Sequence, residues 1–356
     1  MVAAGTGGHV FPALALGEAL KELGMKPVFA GRPASLEQEL ALKAGFEFQP
    51  LASSGFFGKG LGARLQFVIN ALRGAFGIWR ILNRVRPAAV VAAGGFGSVV
   101  PLVAAGLRGI PYFLLEQNCI PGRVTRYFSK GARELFLTFP LLRPLAARTV
   151  VSGTPLRRVL LDKPRRDDGK TVLVLGGSLG ARALNFAAID FARQLPELHF
   201  LVQTGRRDFA EMQRRVREAG LRNIELIDFT LAMEELYARA SLVLSRAGGM
   251  VINEILAFGL PSILVPFPFA TDNHQKANAQ HVARQGGALQ IDQSCLPEIV
   301  NVIRELFAQP QRLEALAASA RRIARRDAAG NIARRIAARL REPGFDPALL
   351  RTADVR

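Results

Sequence analysis

Met1-Val2-Ala3-Ala4-Gly5-Thr6-Gly7-Gly8-His9 and Thr171-Val172-Leu173-Val174-Leu175-Gly176-Gly177-Ser178-Leu179-Gly180-Ala181-Arg182 follow one plan. Each runs from a short apolar stretch into a glycine cluster. Helix formers resume within a few residues, as Pro12-Ala13-Leu14-Ala15-Leu16 in one case and Ala183-Leu184-Asn185 in the other. Strand, glycine turn and helix start leave backbone N–H groups and a helix dipole facing one point, which favours an anion there. Both stretches therefore read as phosphate-binding loops. Their occurrence in separate halves predicts two βα domains with a cleft between them.

The remaining sequence alternates in the same way. Apolar runs at Lys26–Ala30, Ala88–Ala93, Tyr112–Leu115, Glu134–Thr138, Thr171–Leu175, His199–Gln203, Ile224–Ile227, Leu242–Ser245 and Ser262–Val265 read as strands. Helical patterns lie between them at Gly17–Leu23, Leu36–Ala44, Asp208–Ala219, Met233–Ala240, Met250–Phe258 and Asn273–Gln285. Such alternation predicts an α/β fold, two doubly wound parallel sheets joined by right-handed crossovers. The stretch Val150–Lys170, with Ser152-Gly153-Thr154-Pro155 and a charged run through Gly169, reads as a linker. The expected domains are therefore 1–150 and 151–340.

Size and composition fit this reading. The 356 residues suit two cores, and 49% of them are apolar. Cys119 and Cys295 are too few and too far apart for a disulfide framework. No Lys or Arg occurs in the first twenty residues, so no secretory signal is read, and a soluble chain in a reducing cytoplasm is expected. Pro87–Leu107 is uncharged, but Gly94-Gly95-Phe96-Gly97-Ser98 interrupts it, so it reads as strand, third glycine loop and helix Val99–Leu107 rather than a membrane span. The net charge of +18 is mostly arginine. Much of it falls on helical stretches (Arg206–Arg217, Arg312–Arg341), where it reads as solvated face; nucleic acid or anionic lipid are the alternatives.

Neither loop meets the dinucleotide fingerprint, because Val10 and Ser178 stand where glycine is required, and there is no Gly-Lys-Ser/Thr ending. His9 closes the first loop where its helix begins, a place for a general base or for a simple cap. Glu254 lies one turn into the helix after Ser245-Arg246-Ala247-Gly248-Gly249, suited to ribose hydroxyls or to solvent. Pro266–Gln275 gathers amide and hydroxyl groups that suit a sugar, or merely caps a helix. Phe56–Arg86 mixes Phe76, Trp79 and other apolar residues with Arg64, Arg73, Arg80 and Arg84 and contains no acid. It reads as an interfacial membrane surface, as a core helix with a basic face, or as an RNA patch.

Taken together, Gly5–Pro12, Gly94–Ser98, Glu116-Gln117-Asn118, Gly153–Arg157, Gly176–Arg182 and Asp272–Gln275 resemble the MurG family over nearly the whole chain. That resemblance implies a GT-B fold, two doubly wound parallel-sheet domains facing across a cleft. The first domain would serve acceptor and membrane, the second the donor, with a C-terminal helix near 340–356 packing back on the first. It implies an inverting transfer of N-acetylglucosamine from UDP-N-acetylglucosamine to the C4 hydroxyl of undecaprenyl-diphospho-muramoyl-pentapeptide in peptidoglycan synthesis. No cofactor, metal or nucleic acid would be needed, and the enzyme would sit on the inner face of the cell membrane. Catalysis would fall to His9. Thr6, Gly7, Gly8, Asn118, Arg157, Ser178, Thr230, Glu254, His274 and Gln275 would border the donor. Gly7, Gly8, Gly95 and Ser98 would hold the acceptor diphosphate, and Phe76, Trp79, Arg73 and Arg80 would meet the membrane.

The chain departs from the family at Ala4, usually Gly, and at Leu115, usually His, which strengthens His9 as base. Its first strand is short unless the true start lies upstream. Another GT-B enzyme, a lipid glycosyltransferase or a UDP-N-acetylglucosamine epimerase, is the nearest rival, and a basic nucleic-acid binder is a more distant one.

Overall fold

A computed structural model of the protein describes residues 1–3, 7–51, 74–176 and 181–342. The chain divides into two compact units, 1–117 with 121–157 and 327–356, and 118–120 with 158–326.

The first unit is a parallel sheet. Val2 bridges Ala30 and Ala92, so residues 1–3 lie between β1 (Val28–Gly31) and β3 (Val90–Ala92). Outward from there β2 (Glu47–Pro50) pairs with β1, while β4 (Tyr112–Glu116), β5 (Glu134–Leu137) and β6 (Thr149–Val151) follow β3. The helices are α1 (Gly7–Glu22), α2 (Leu36–Lys43), α3 (74–85), α4 (Val99–Leu107) and α5 (Arg123–Phe128). Strands such as β4, buried along their whole length, are continuous apolar runs because helices cover both faces. The order places the first strand beside the fourth, so the direction of winding reverses between residues 1–3 and β3. Ligands of open parallel sheets bind beyond the carboxyl ends of the strands at such a reversal.

The second unit repeats this plan as a six-stranded parallel sheet, in the order β12-β11-β10-β7-β8-β9. Its strands are β7 (Thr171–Leu175), β8 (His199–Gln203), β9 (Ile224–Ile227), β10 (Leu242–Ser245), β11 (Ser262–Leu264) and β12 (Leu289–Gln290). Helices α6 (Arg158–Asp162), α7 (Arg182–Gln194), α8 (Phe209–Glu218), α9 (Met233–Arg239), α10 (Gly249–Phe258), α11 (His274–Ala283), α12 (Ile299–Ala308) and α13 (Pro310–Ile323) accompany them. The reversal here lies between β7 and β10. It places Leu175 beside Ser245, at the carboxyl ends of the two strands.

Two sequence expectations need correction. Val150–Lys170 is not a plain linker, because Thr149–Val151 pairs with β5 and Arg158–Asp162 is helical. The first unit therefore runs on to Arg157. The chain also returns to it at Asp327, earlier than the position near 340 expected from sequence. The returning helix is α14 (Ala328–Leu340), whose Ile332, Ala333, Ile336 and Leu340 join the core around Ala13, Leu16 and Phe136. Glu134, fully buried at the start of β5, accepts from both Arg335 (2.6 Å) and Arg339 (3.2 Å) of α14. Burial alone would raise its pKa, but the two guanidiniums hold the carboxyl below the usual range. The C-terminal stretch beyond Glu342 lies outside the described residues.

Part of the arginine excess is now accounted for. Arg214 and Arg215 pair with Glu218 and Glu211 along α8, and Arg321 pairs with Glu314 on α13. These are exposed pairs on solvated helix faces, the reading given to them from sequence.

Candidate functional site

In the first unit the reversal point is built by α1 and by the turn after β3. Ala4–Thr6 lie outside the described residues, so the loop is seen from Gly7 onward, already as the first turn of α1. His9 on that turn is half-buried, and its ring lies against Gly94. A Cβ on Gly94 would come within 3.1 Å of His9 Cδ2 and Nε2, and Gly94 has φ +101°, so the position calls for glycine twice over. Gly95 also has a positive φ, +82°, and Ser98 is buried with its Oγ donating to Gly94 O at 2.9 Å. The motif Gly94–Ser98 is therefore a rigid turn whose shape sets the position of the His9 imidazole.

Arg157 places its guanidinium 4.7 Å from the centre of the Phe11 ring on α1. Sequence reasoning assigned Arg157 to the second domain; its backbone belongs to the first unit, because β6 carries the chain past residue 150. Leu115 is buried in the core with Phe113 and Phe136. The following Glu116 is buried too, and its Oε2 accepts from Gly122 N (2.9 Å) and Thr125 Oγ1 (2.7 Å). It thereby fixes both ends of the turn that carries Gln117 and Asn118.

On the same unit, Phe76 (64% exposed) and Trp79 (47% exposed) project from α3, while Ile78 and Leu82 point into the core. Arg80 covers the Phe76 ring at 5.7 Å, and Arg108 covers Trp79 at 4.7 Å while donating to Asn83 Oδ1 at 2.6 Å. Val103 and Leu107 of α4 are exposed as well. Arg73 and residues 56–72 lie outside the described residues.

In the second unit the turn after β7 reaches Gly176, and Ser178 lies outside the described residues. The facing turn, after β10, leads into α10. Glu254 on this helix is 5% exposed, and its Oε2 accepts from Tyr237 Oη of α9 at 2.8 Å. The surface-glutamate alternative is therefore removed. A buried carboxylate held by a tyrosine is oriented, as an acceptor for paired hydroxyls must be. Thr230 stands before α9, where its Oγ1 accepts from Ala232 N at 3.0 Å and so shapes the turn.

Gln275 at the start of α11 spends its carbonyl oxygen on two backbone groups, Ala247 N (3.2 Å) and Phe267 N (2.9 Å). Its amide nitrogen is thus the end it offers elsewhere. His274 is half-buried beside it, with Nδ1 2.8 Å from Thr271 O, the geometry of a donated N–H that leaves Nε2 as the acceptor of the neutral ring. Asp272 and Asn273 precede it at φ +53° and +55°, a left-handed pair that turns the chain into α11. Arg246 was quoted in the sequence but given no role. It is buried and donates to Val265 O (3.2 Å), Pro266 O (3.3 Å) and Gln293 Oε1 (2.5 Å), and desolvation lowers its pKa to about 10. It fixes the loop that carries Phe267. Asn118, which the sequence places in the first domain, belongs instead to this unit, where its Oδ1 accepts from Asn278 Nδ2 of α11 at 2.9 Å. Among the described residues, no group of three or more His, Cys, Asp or Glu is placed to hold a metal ion.

Comparison with known proteins agrees with this architecture. Residues 1–137 match the glycosyltransferase family 28 N-terminal domain and residues 171–336 its C-terminal domain. The UDP-N-acetylglucosamine--N-acetylmuramyl-(pentapeptide) pyrophosphoryl-undecaprenol N-acetylglucosamine transferase of Methylococcus capsulatus is 39% identical over 94% of this chain and 96% of its own. The enzyme of the same name from Azotobacter vinelandii is 38% identical over 92% of this chain and 94% of its own. A crystal structure of MurG from Acinetobacter baumannii superposes with a TM-score of 0.76 and 29% identity, covering 95% of this chain and 98% of that one. The fold is GT-B, as the motifs imply.

Proposed function

The chain belongs to glycosyltransferase family 28 and, within it, to the MurG family, and from that premise we propose the reaction it performs. It transfers N-acetylglucosamine from UDP-N-acetylglucosamine to the C4 hydroxyl of a muramoyl-pentapeptide carried on a diphospho-polyprenol. The observation that supports this reading is that each sheet's reversal point bears polar side chains of a kind suited to the transfer. His9 rests on the Gly94 turn in one, and Glu254 with the oriented amide of Gln275 stands in the other.

The division of work follows from these placements. His9 takes the proton of the acceptor hydroxyl as its oxygen attacks the anomeric carbon. The bond from that carbon to the UDP oxygen breaks, UDP leaves with the electron pair, and attack from the opposite face inverts the configuration. Glu254 accepts from the ribose hydroxyls, the backbone near Thr230 receives the uracil, and His274 and Gln275 address the sugar. Arg157, Ser178 and the N-terminus of α7 stabilise the charge on departing UDP, an electrostatic role that needs no bound cation. Gly7, Gly8 and Gly95 receive the acceptor diphosphate; Ser98, expected from sequence to share this task, is fully buried with its hydroxyl on Gly94 O and its N–H on Gly95 O, and so braces the turn instead. The test is formation of a lipid-linked disaccharide from UDP-N-acetylglucosamine and a short-chain acceptor analogue. Free sugar released from donor alone would favour an epimerase instead.

The acceptor's lipid requires the enzyme to meet a membrane, and the face formed by Phe76, Trp79 and Leu107 with Arg80, Arg84 and Arg108 suits an anionic surface. Among the described residues no helix is long and apolar enough to cross a bilayer. Each basic residue near such a surface adds about 1 kcal/mol, so binding should be peripheral and sensitive to salt. Changing Arg80, Arg84 and Arg108 together to Glu is expected to abolish co-sedimentation with phosphatidylglycerol vesicles while UDP still binds. Unchanged sedimentation would place the membrane contact elsewhere.

A further inference from the structure

Arg246 is the first residue after β10, buried at the carboxyl end of the second unit's sheet. Its backbone N–H donates to Leu175 O at 3.2 Å, so it stands beside the last strand residue before the glycine turn at Gly176. Its side chain runs toward the opposite neighbour, β11. There Nη1 donates to the carbonyl oxygens of Val265 (3.2 Å) and Pro266 (3.3 Å), Nη2 donates to Gln293 Oε1 (2.5 Å), and the Phe267 ring lies 5.4 Å from the guanidinium.

Every one of these partners is neutral. Among the described residues no carboxylate pairs with Arg246, and Asp292, next to Gln293, is held by Lys276 at 2.9 Å. Burial lowers the Arg246 pKa to about 10, which still leaves the group charged at neutral pH. A buried charge is unfavourable unless an opposite charge offsets it, and carbonyl dipoles offset only part of the loss of water. The unit thus keeps a whole positive charge near its reversal point with no anion of its own, in a setting where the low dielectric extends its reach. Gln275 binds the backbone on both sides of it, at Ala247 N and Phe267 N, so the charge and the amide assigned to the sugar belong to one assembly. A glutamate at position 293 would accept the same hydrogen bond and cancel the charge. The amide of Gln293 accepts it and leaves the charge standing.

We propose that Arg246 is a fixed counter-charge for the donor's diphosphate, acting from behind the backbone that lines the site, and that Gln293 holds the guanidinium in place without neutralising it. The inference rests on the reading that this unit binds UDP-N-acetylglucosamine.

Gln293→Glu tests it. The substitution keeps an oxygen for Nη2 and adds one negative charge, so thermal stability should hold or rise. Calorimetry should show UDP bound about tenfold more weakly, the effect of one unit charge on another roughly 12 Å away at an effective dielectric of about 20. Uridine, which has no phosphate, should change less than about twofold when followed by NMR titration. Arg246→Gln, which removes the charge and keeps an amide donor, should show the same selective loss, and Arg246→Lys, which keeps the charge, a smaller one. Equal losses for UDP and uridine would make the pair a brace for the loop and nothing more. UDP affinity unchanged in both Gln293→Glu and Arg246→Gln would mean that the charge does not act on the ligand. Either result overturns the inference while leaving the donor site in place. If the unsubstituted protein binds neither UDP nor uridine, the functional reading fails and the inference with it.

Discussion

His9→Ala is expected to lower kcat by about 10²- to 10⁴-fold, the range for removal of a general base, while UDP affinity stays near that of the unsubstituted enzyme. The reason is positional. His9 lies on the first turn of α1, against Gly94, at the reversal point of the first unit's sheet, whereas Glu254, Gln275 and His274 all belong to the second unit. A residue that only shaped the glycine turn would act through acceptor KM, so steady-state kinetics in both substrates separate the two roles. A normal kcat, or a loss confined to UDP binding, would contradict the assignment.

The second large effect concerns Glu254. Its replacement by Ala should raise donor KM about 10- to 150-fold, corresponding to roughly 1.5–3 kcal/mol for hydrogen bonds to a charged group. The same change leaves the buried Tyr237 hydroxyl without the carboxylate it donates to at 2.8 Å, so thermal stability should fall as well. Tyr237→Phe separates these contributions. It keeps the carboxylate and loosens only its orientation, so donor KM should rise by less than in the Glu254 variant. UDP affinity measured by calorimetry checks the series, and an unchanged donor KM in Glu254→Ala would remove Glu254 from the site.

The fold was legible wherever a strand is long or central. Thr171–Leu175, His199–Gln203 and Leu242–Ser245 are buried throughout, so their apolar runs have no competing explanation. The edge strand Ile224–Ile227 was read, but the edge strands β2, β6 and β12 were not. Glu47–Pro50 ends in proline and alternates weakly, and Thr149–Val151 is three partly exposed residues with a single neighbour, which is why it was read as linker. The return of a C-terminal helix was implied only by the family resemblance, and near 340 rather than at Ala328, since an arginine-rich pattern fits any solvated helix until Glu134, about two hundred residues away, is placed beneath Arg335 and Arg339.

The site divides in the same way. Gly94, Glu254 and Gln275 announced themselves because a glycine loop, a lone carboxylate in an apolar helix and an amide-rich loop are local signals. Tyr237 and Arg246 act through partners distant in sequence, and nothing in their immediate neighbours marks them.

The most direct test of the central claim is to follow purified protein with labelled UDP-N-acetylglucosamine and a short-chain diphospholipid carrying the muramoyl-pentapeptide, with no added metal. The predicted result is a β-linked disaccharide on the lipid, formed one for one with released UDP and absent when acceptor is omitted. Label appearing as free sugar from the donor alone, or no label reaching the lipid while UDP-N-acetylglucosamine demonstrably binds, would contradict it.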